Sequence, residues 1–299
     1  MEDVAVRTDG LTKHFGAVRA VEDVDLVIER GEVFGYLGPN GAGKTTTIRL
    51  LLDFLRPTRG RSMVLGGSGG DPGIRRRIGY LPGDLRLDPT YCAGDVIDFF
   101  ASLRGGVDRD WVDALCQRFG LDPTRPVGEL STGNRRKVGL VQAFMSRAEL
   151  LLLDEPTSGL DPLLQHEFND LVREMAGEGT TVLLSSHVLP EVEALAARVG
   201  IIRRGRLVAV AGVDELRRTA RQRLDLHVAG AVDDVDLARF REVPEVVEVS
   251  AEPAVIHLVV EGSVDGVIKA AAALEVQRIV SHEANLEDVF LRYYTPEDE

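Results

Sequence analysis

Residues 38 to 45 read Gly-Pro-Asn-Gly-Ala-Gly-Lys-Thr, and Thr46 follows. The pattern G-x-x-x-x-G-K-[ST] combines glycines that let a tight turn aim its N–H groups inward, a cation on a flexible stem, and a hydroxyl at a helix start. Those are the parts needed to hold a run of phosphates. The spacing predicts that Gly38, Pro39, Asn40, Gly41, Ala42, Gly43, Lys44, Thr45 and Thr46 cradle a nucleoside triphosphate. Lys44 is expected to reach the β- and γ-phosphates, and the Thr45 hydroxyl to bind Mg²⁺. The helix N-terminus adds partial positive charge at the same place. Farther along, Asp154-Glu155 ends an apolar run, Leu150-Leu-Leu-Leu. A carboxylate there is costly without a cationic partner, and Mg²⁺ held through water is the natural one for Asp154. Glu155, next in line, is the candidate general base for an attacking water.

The elements that must position these groups can be read from periodicity. Residues 24–28 and 32–37 pattern as strands. Residues 45–55 pattern as a helix, with Ile48, Leu51, Leu52 and Leu55 on one face. A strand is expected over 77–81 and a helical stretch over 93–119. Val96, Phe99, Phe100 and Leu103 form one apolar face there and Trp111, Leu115 and Phe119 another; Pro123 and Pro126 interrupt it. Residues 150–153 and 181–185 are apolar without alternation, as in parallel strands covered on both faces. Residues 201–203 and 206–211 suggest a closing hairpin turning at Arg204-Gly205. Beyond about residue 218 the order becomes β-α-β-β-α-β, over 224–228, 233–241, 246–251, 255–261, 264–274 and 276–281. That order suggests a small ferredoxin-like domain. A last short helix is expected over 285–294.

Composition bounds the function. The 299 residues suffice for one large domain or two modest ones. A net charge of −13 argues against general attraction to nucleic acid or anionic lipid. Lysine occurs only at 13, 44, 137 and 269, which makes Lys44 conspicuous. Cys92 and Cys116 lie in no metal or redox spacing and suggest reduced thiols in a cytosolic protein. The acidic first residues do not resemble a signal peptide, and no apolar run approaches the ~18 residues of a membrane helix.

Leu130-Ser-Thr-Gly-Asn-Arg-Arg-Lys-Val, about 20 residues ahead of the Asp154-Glu155 strand, decides among phosphate-loop proteins. No guanine-reading Asn/Thr-Lys-x-Asp motif is present. The segment resembles the Leu-Ser-Gly-Gly-Gln signature of ABC transporter ATP-binding subunits, and residues 150–156 resemble their Walker B strand. Ser158-Gly-Leu-Asp is similar to their D-loop, ending at Asp161, and His187 to their switch histidine. The resemblance spans residues 1 to about 218. It implies an α/β P-loop ATPase domain over 1–218 with a helical subdomain over about 84–147, followed by a C-terminal α+β domain over 219–299. It further implies that Phe15 stacks on adenine and that His187 meets the γ-phosphate as a catalytic partner of Glu155. Ser131 and Gly133, opening a helix to about Met145, would bind the nucleotide held by a second subunit; the plain alternative is a helix cap. Asp161 joins the same composite site, with ATP and Mg²⁺ as cofactors.

The departures are specific. After Ile78-Gly-Tyr-Leu-Pro the family carries a Gln that contacts Mg²⁺ and senses the transport subunit; here Gly83 stands there, leaving Asp84 or water to fill the place. Thr132 and Asn134 replace the usual Gly and Gln of the signature. The signature wording and the ending Asn285-Leu-Glu-Asp-Val-Phe resemble bacterial drug- and antibiotic-efflux subunits. The expected assembly is therefore a pair of ATPase subunits, as a homodimer, on a membrane permease carried by a separate chain at the cytoplasmic face of the plasma membrane. A soluble mechanoprotein and a non-hydrolysing adaptor are the other readings. Against them stand the single ATPase unit without a long coiled coil, and the intact Lys44, Asp154, Glu155 and His187. The C-terminal domain is either a dimer-stabilising appendage or a regulatory ligand site.

Overall fold

The computed structural model describes residues 3–219 and 221–282. The chain divides into two compact units, Met1–Val210 and Ala211–Glu299. In the first, the order is β1 (Val4–Phe15), β2 (Val18–Glu29), β3 (Val33–Leu37), α1 (Lys44–Leu51), β4 (Arg59–Val64), α2 (Pro72–Arg76), β5 (Ile78–Leu81), α3 (Ala93–Leu103) and α4 (Arg109–Arg118). Then follow α5 (Thr132–Phe144), β6 (Leu150–Asp154), α6 (Pro162–Gly177), β7 (Thr181–Ser186), α7 (Leu189–Glu193), β8 (Arg198–Arg203) and β9 (Arg206–Gly212), whose end lies in the second unit.

A six-stranded sheet, ordered β5-β6-β7-β3-β8-β9, carries the site. Its first five strands run parallel. Every residue of β3, β6 and β7 is buried, which explains why their apolar residues run without alternation: in a sheet covered on both faces each side chain is either apolar or, like Asp154 and Ser185, hydrogen-bonded inside the fold. β9 returns beside β8 through Arg204-Gly205, both with positive φ, the geometry of a tight two-residue hairpin.

A second sheet, β2-β1-β4, is antiparallel. The sequence pattern marked only residues 24–28 of it. β1 escapes notice because Thr8 and Thr12 are buried within it and its register shifts several times. The Thr8 hydroxyl donates to Val24 O at 2.8 Å and accepts from Leu26 N at 2.9 Å, so an interior polar residue is fully satisfied and the alternation is broken.

Two helical expectations are corrected. α1 stops at Leu51 rather than residue 55. Asp53 adopts φ 55°, and Phe54 N donates to Arg49 O at 2.9 Å, closing a Schellman-type turn; a short polar side chain tolerates that left-handed backbone. The stretch 93–119 is two helices, because Gly105 and Gly106 both take positive φ between α3 and α4.

In the second unit, α8 (Val213–Thr219) leads into β10 (Arg221–Val228), α9 (Asp234–Arg241), β11 (Val246–Glu252), β12 (Val255–Glu261), α10 (Asp265–Ala271) and β13 (Val276–His282). The sheet order β11-β12-β10-β13, antiparallel throughout, is the split β-α-β arrangement the element order suggested. Leu224, Leu226, Ile256, Leu258 and Val260 point to one face and pack with Phe240 and Val267. On the opposite face Asp225 accepts from His257 at 2.7 Å and His282 at 2.8 Å. The helix expected over 285–294 lies outside the described residues.

Candidate active site

The parallel register aligns three strand ends. Leu37 of β3 pairs with Ser186 of β7, and Asp154 of β6 with Ser185 of β7. The loop after β3, the carboxylate pair after β6 and the histidine after β7 therefore emerge side by side at the carboxyl edge, where open α/β sheets bind ligands. Gly38 N donates to Ser186 O at 3.2 Å and anchors the loop there. At Gly43 the backbone has φ 114° and any Cβ would collide with the Ala20 carbonyl, so only glycine lets the loop turn into α1.

Lys44 is buried at the start of α1. Its ammonium donates to Gly38 O at 2.5 Å and Pro39 O at 3.2 Å and pairs with Glu155 Oε1 at 3.1 Å. Thr45 Oγ1 donates to Asp154 Oδ2 at 2.7 Å. Asp154 has no solvent exposure, and its other oxygen accepts from Ser185 Oγ at 2.6 Å. Glu155 takes φ 49° and its second oxygen meets His187 Nδ1 at 2.7 Å. A cavity of about 250 Å³ opens over these groups, lined by residues 39–46 with Val18, Arg19, Ala20 and Glu155.

Sequence-predicted residues 38–46, Asp154, Glu155 and His187 are thus gathered in one place. Gly38, Asp154 and His187 stand behind the cavity lining, bonded to Lys44, Thr45 and Glu155, whereas Phe15, Ser131, Gly133 and Asp161 do not line the cavity. Phe15 is an exposed ring at the end of β1 with Lys13 Nζ 5.1 Å from its centroid. Ser131 caps α5, accepting from Asn134 N at 3.2 Å. Asp161 caps α6, accepting from Leu163 N at 3.1 Å and Leu164 N at 3.0 Å. Gly83 approaches Asp154 closely: a Cβ on it would stand 2.9 Å from Asp154 Oδ2. Asp84 is turned away to the surface, ion-paired with Arg86 at 2.9 Å.

Two residues were missed from sequence. Ser185 holds Asp154 but looks like the last residue of an apolar strand. Arg136 sits within a run of three cations, yet it is buried and donates to Asp154 O at 2.6 Å and to Pro82 O at 2.7 Å.

The donor set suits a magnesium–triphosphate. Thr45 and Asp154 supply hard oxygens, which is what Mg²⁺ takes when phosphates and water complete its shell. Among the described residues no group of three or more His, Cys, Asp or Glu forms a protein-only metal cage. Lys44 and the loop N–H groups supply the positive field that phosphates require.

The sequence model of the ABC transporter family matches residues 21–158. The daunorubicin resistance ATP-binding protein DrrA3 of Streptomyces coeruleorubidus is 39% identical over 237 residues, covering 76% of this chain and 74% of that one. The bacitracin transport ATP-binding protein BcrA of Bacillus licheniformis is 34% identical, over 75% of each chain. The daunorubicin/doxorubicin resistance ATP-binding protein DrrA of Streptomyces peucetius is 32% identical over 96% of this chain and 91% of its own. Among solved structures, an ATP-binding subunit of an ABC transporter superposes with a TM-score of 0.67 at 29% identity, over 72% of this chain and 92% of that one. A dimeric cassette in a post-hydrolysis state with ADP and Pi superposes at 0.64 and 22% identity, over 70% and 98%, and shares the fold. With the phosphate loop, the Asp154-Glu155 strand end and these relatives in agreement, the chain belongs to the ABC transporter family as an ATP-binding, ATP-hydrolysing subunit.

Proposed function

We propose that this chain energises an exporter of drug- or antibiotic-like molecules, working as a homodimeric pair on a permease carried by a separate chain at the cytoplasmic face of the plasma membrane. The observation that carries the reading is the junction of Lys44, Thr45, Asp154 and Glu155 within hydrogen-bonding and ion-pair distance at one sheet edge. The relatives' names supply drug and antibiotic resistance as the context. Among the described residues no helix is long and apolar enough to cross a membrane, which fits a subunit that reaches the membrane through a partner.

In this reading Thr45 and Asp154 would hold Mg²⁺, which would supply charge neutralisation to the phosphates. Lys44 exchanges its loop carbonyls and Glu155 for phosphate oxygens. Glu155, oriented by His187, takes the proton of the attacking water. Phe15 offers its exposed ring to adenine, and Ser131, Gly133 and Asp161 meet the second subunit's nucleotide. The permease docks in the groove lined by Phe54, Tyr80, Leu85, Leu87, Val96 and Phe100, about 540 Å³ in volume. Exposed Tyr91 and Phe99 line the adjoining pocket, which shares Leu87, Val96 and Phe100 with this groove, and extend it into an apolar patch of the kind that marks an interface.

Tagging the chain in the cells that naturally make it, and purifying it with any membrane protein that accompanies it, tests the proposal. A stoichiometric complex recovered from detergent-solubilised membranes is the expected result. Recovery only in soluble or ribosomal fractions would refute the exporter reading.

A further inference from the structure

Arg136 lies on the second turn of α5, whose N-terminus is capped by Ser131. Its guanidinium is inserted between two loops. Nη1 donates to Pro82 O at 2.7 Å and Gly83 O at 3.2 Å. Nη2 donates to Asp154 O at 2.6 Å and also to Glu155 O, while Nε reaches Pro156 O at 3.4 Å. Five main-chain carbonyls thus converge on one buried cation, a use that needs the planar five-donor fork of arginine.

The place it holds is strained. Glu155 has φ 49°, a left-handed conformation that a side-chain-bearing residue adopts only when its surroundings fix it. Its N–H is fixed from β7, donating to Ser185 O at 3.1 Å and Ser185 Oγ at 3.2 Å. Its carbonyl is fixed from α5 by Arg136. The same guanidinium grips the loop at Gly83, where an added Cβ would stand 2.9 Å from Asp154 Oδ2.

We propose that Arg136 is the positioning residue that holds Glu155 in its left-handed turn and ties hydrolysis there to the placement of α5 and of the loop at Gly83. The proposal rests on the reading of Glu155 as the general base. With no side chain at Gly83 to touch the magnesium site, the link between that loop and the reacting end of β6 runs through main-chain carbonyls on one guanidinium. Because Ser131 opens the same helix, a nucleotide on the second subunit that seats α5 also seats Glu155 of this subunit. Hydrolysis then responds cooperatively to ATP through Arg136. Arg136 makes no hydrogen bond to Lys44 or the phosphate loop, so the hold of this chain's own loop on its nucleotide does not depend on it.

The test uses full-length Arg136→Met and Arg136→Lys, with melting temperature, equilibrium binding of a fluorescent ATP analogue, and ATPase rate against ATP concentration. The expected result for Arg136→Met is nucleotide affinity within about 3-fold of the parent, kcat lower by about 10- to 100-fold, and a Hill coefficient reduced toward unity. Arg136→Lys, keeping the charge but not the fork, recovers part of kcat. A folded Arg136→Met with parental kcat and Hill coefficient would overturn the proposal, as would parallel loss of binding and kcat. Should Arg136→Met fail to fold, Arg136→Lys decides: a kcat loss at unchanged KM supports the proposal and a parental kcat overturns it. Glu155→Gln run alongside separates the two readings. If its turnover falls while Arg136→Met is unaffected, the general base stands and the positioning role is wrong. If Glu155→Gln turns over at the parental rate, both are wrong.

Discussion

Replacing Ser185 by alanine removes one of the two hydroxyls that hold a carboxylate with no solvent contact. Ser185 Oγ donates to Asp154 Oδ1 at 2.6 Å, and Thr45 Oγ1 donates to Oδ2 at 2.7 Å. Asp154 has no solvent-exposed surface, so the lost hydrogen bond is not already shared with bulk water. A hydrogen bond to a buried charged acceptor contributes about 1.5–3 kcal/mol. Ser185 Oγ also accepts from Glu155 N at 3.2 Å, but the Ser185 carbonyl takes that same N–H at 3.1 Å, so this second loss is largely compensated. The net cost is about 2 kcal/mol. For a unit of this size, a kilocalorie moves the melting temperature by about 2–4 °C, giving a drop of about 4–8 °C. Thermal unfolding without nucleotide, followed by circular dichroism, measures it. A double-mutant cycle with Asp154→Asn gives the sharper number: with the charge gone, Ser185→Ala should cost about 1 kcal/mol less. A Ser185→Ala melting temperature within about 1 °C of the parent would refute the reasoning, since it would mean that Asp154 is not held by this bond.

Restoring the family's amide by Gly83→Gln should lower ATPase turnover rather than raise it. The new Cβ falls 2.9 Å from Asp154 Oδ2, while Asp154 is pinned on both oxygens and the loop is held by Arg136. The clash displaces one of them at a cost of about 1–3 kcal/mol, and turnover at or above the parental rate would contradict this. Glu149→Gln should show a pH-dependent stability loss. Arg77, chiefly by its hydrogen bonds, holds the Glu149 carboxyl down at about 2, with Arg30 adding to it. A depressed carboxylate stabilises the fold above its unfolded value of 4.5, and that contribution fades as pH falls through about 2. Because the pair is about half exposed, the effect at neutral pH is at most about 1 kcal/mol. Melting curves of parent and Glu149→Gln should therefore differ at pH 7 and converge as pH drops from 4.5 toward 2.

The phosphate loop and the Asp154-Glu155 strand end were legible because each combines a fixed spacing with an unmistakable flanking element. β6 and β7 carry apolar runs without alternation over 150–153 and 182–184, the pattern of parallel strands covered on both faces. What was missed shares a physical cause: polar or charged residues satisfied inside the fold look like surface in a one-dimensional pattern. β1 hides its threonines by bonding them to β2. Arg136, flanked by Arg135 and Lys137, reads as one of three solvated cations, and only the rotation of α5 carries it inward. Ser185 gives no signal apart from ending an apolar run, since its importance comes from pairing opposite Asp154 in the register. Helix ends at Asp53 and at Gly105-Gly106 were misjudged because apolar periodicity persists across a left-handed backbone turn. Asp84, offered as a stand-in beside Gly83, is instead drawn off by Arg86, its neighbour two residues on.

The central claim is that Lys44, Thr45 and Asp154 hold a magnesium–triphosphate while Glu155 drives its cleavage. Incubating the Glu155→Gln chain with magnesium and ATP, isolating it, and identifying the bound nucleotide tests this most directly. Intact ATP retained on Glu155→Gln, with ADP on the parent under the same conditions, is the result predicted. ADP on Glu155→Gln in the parental proportion would contradict the account.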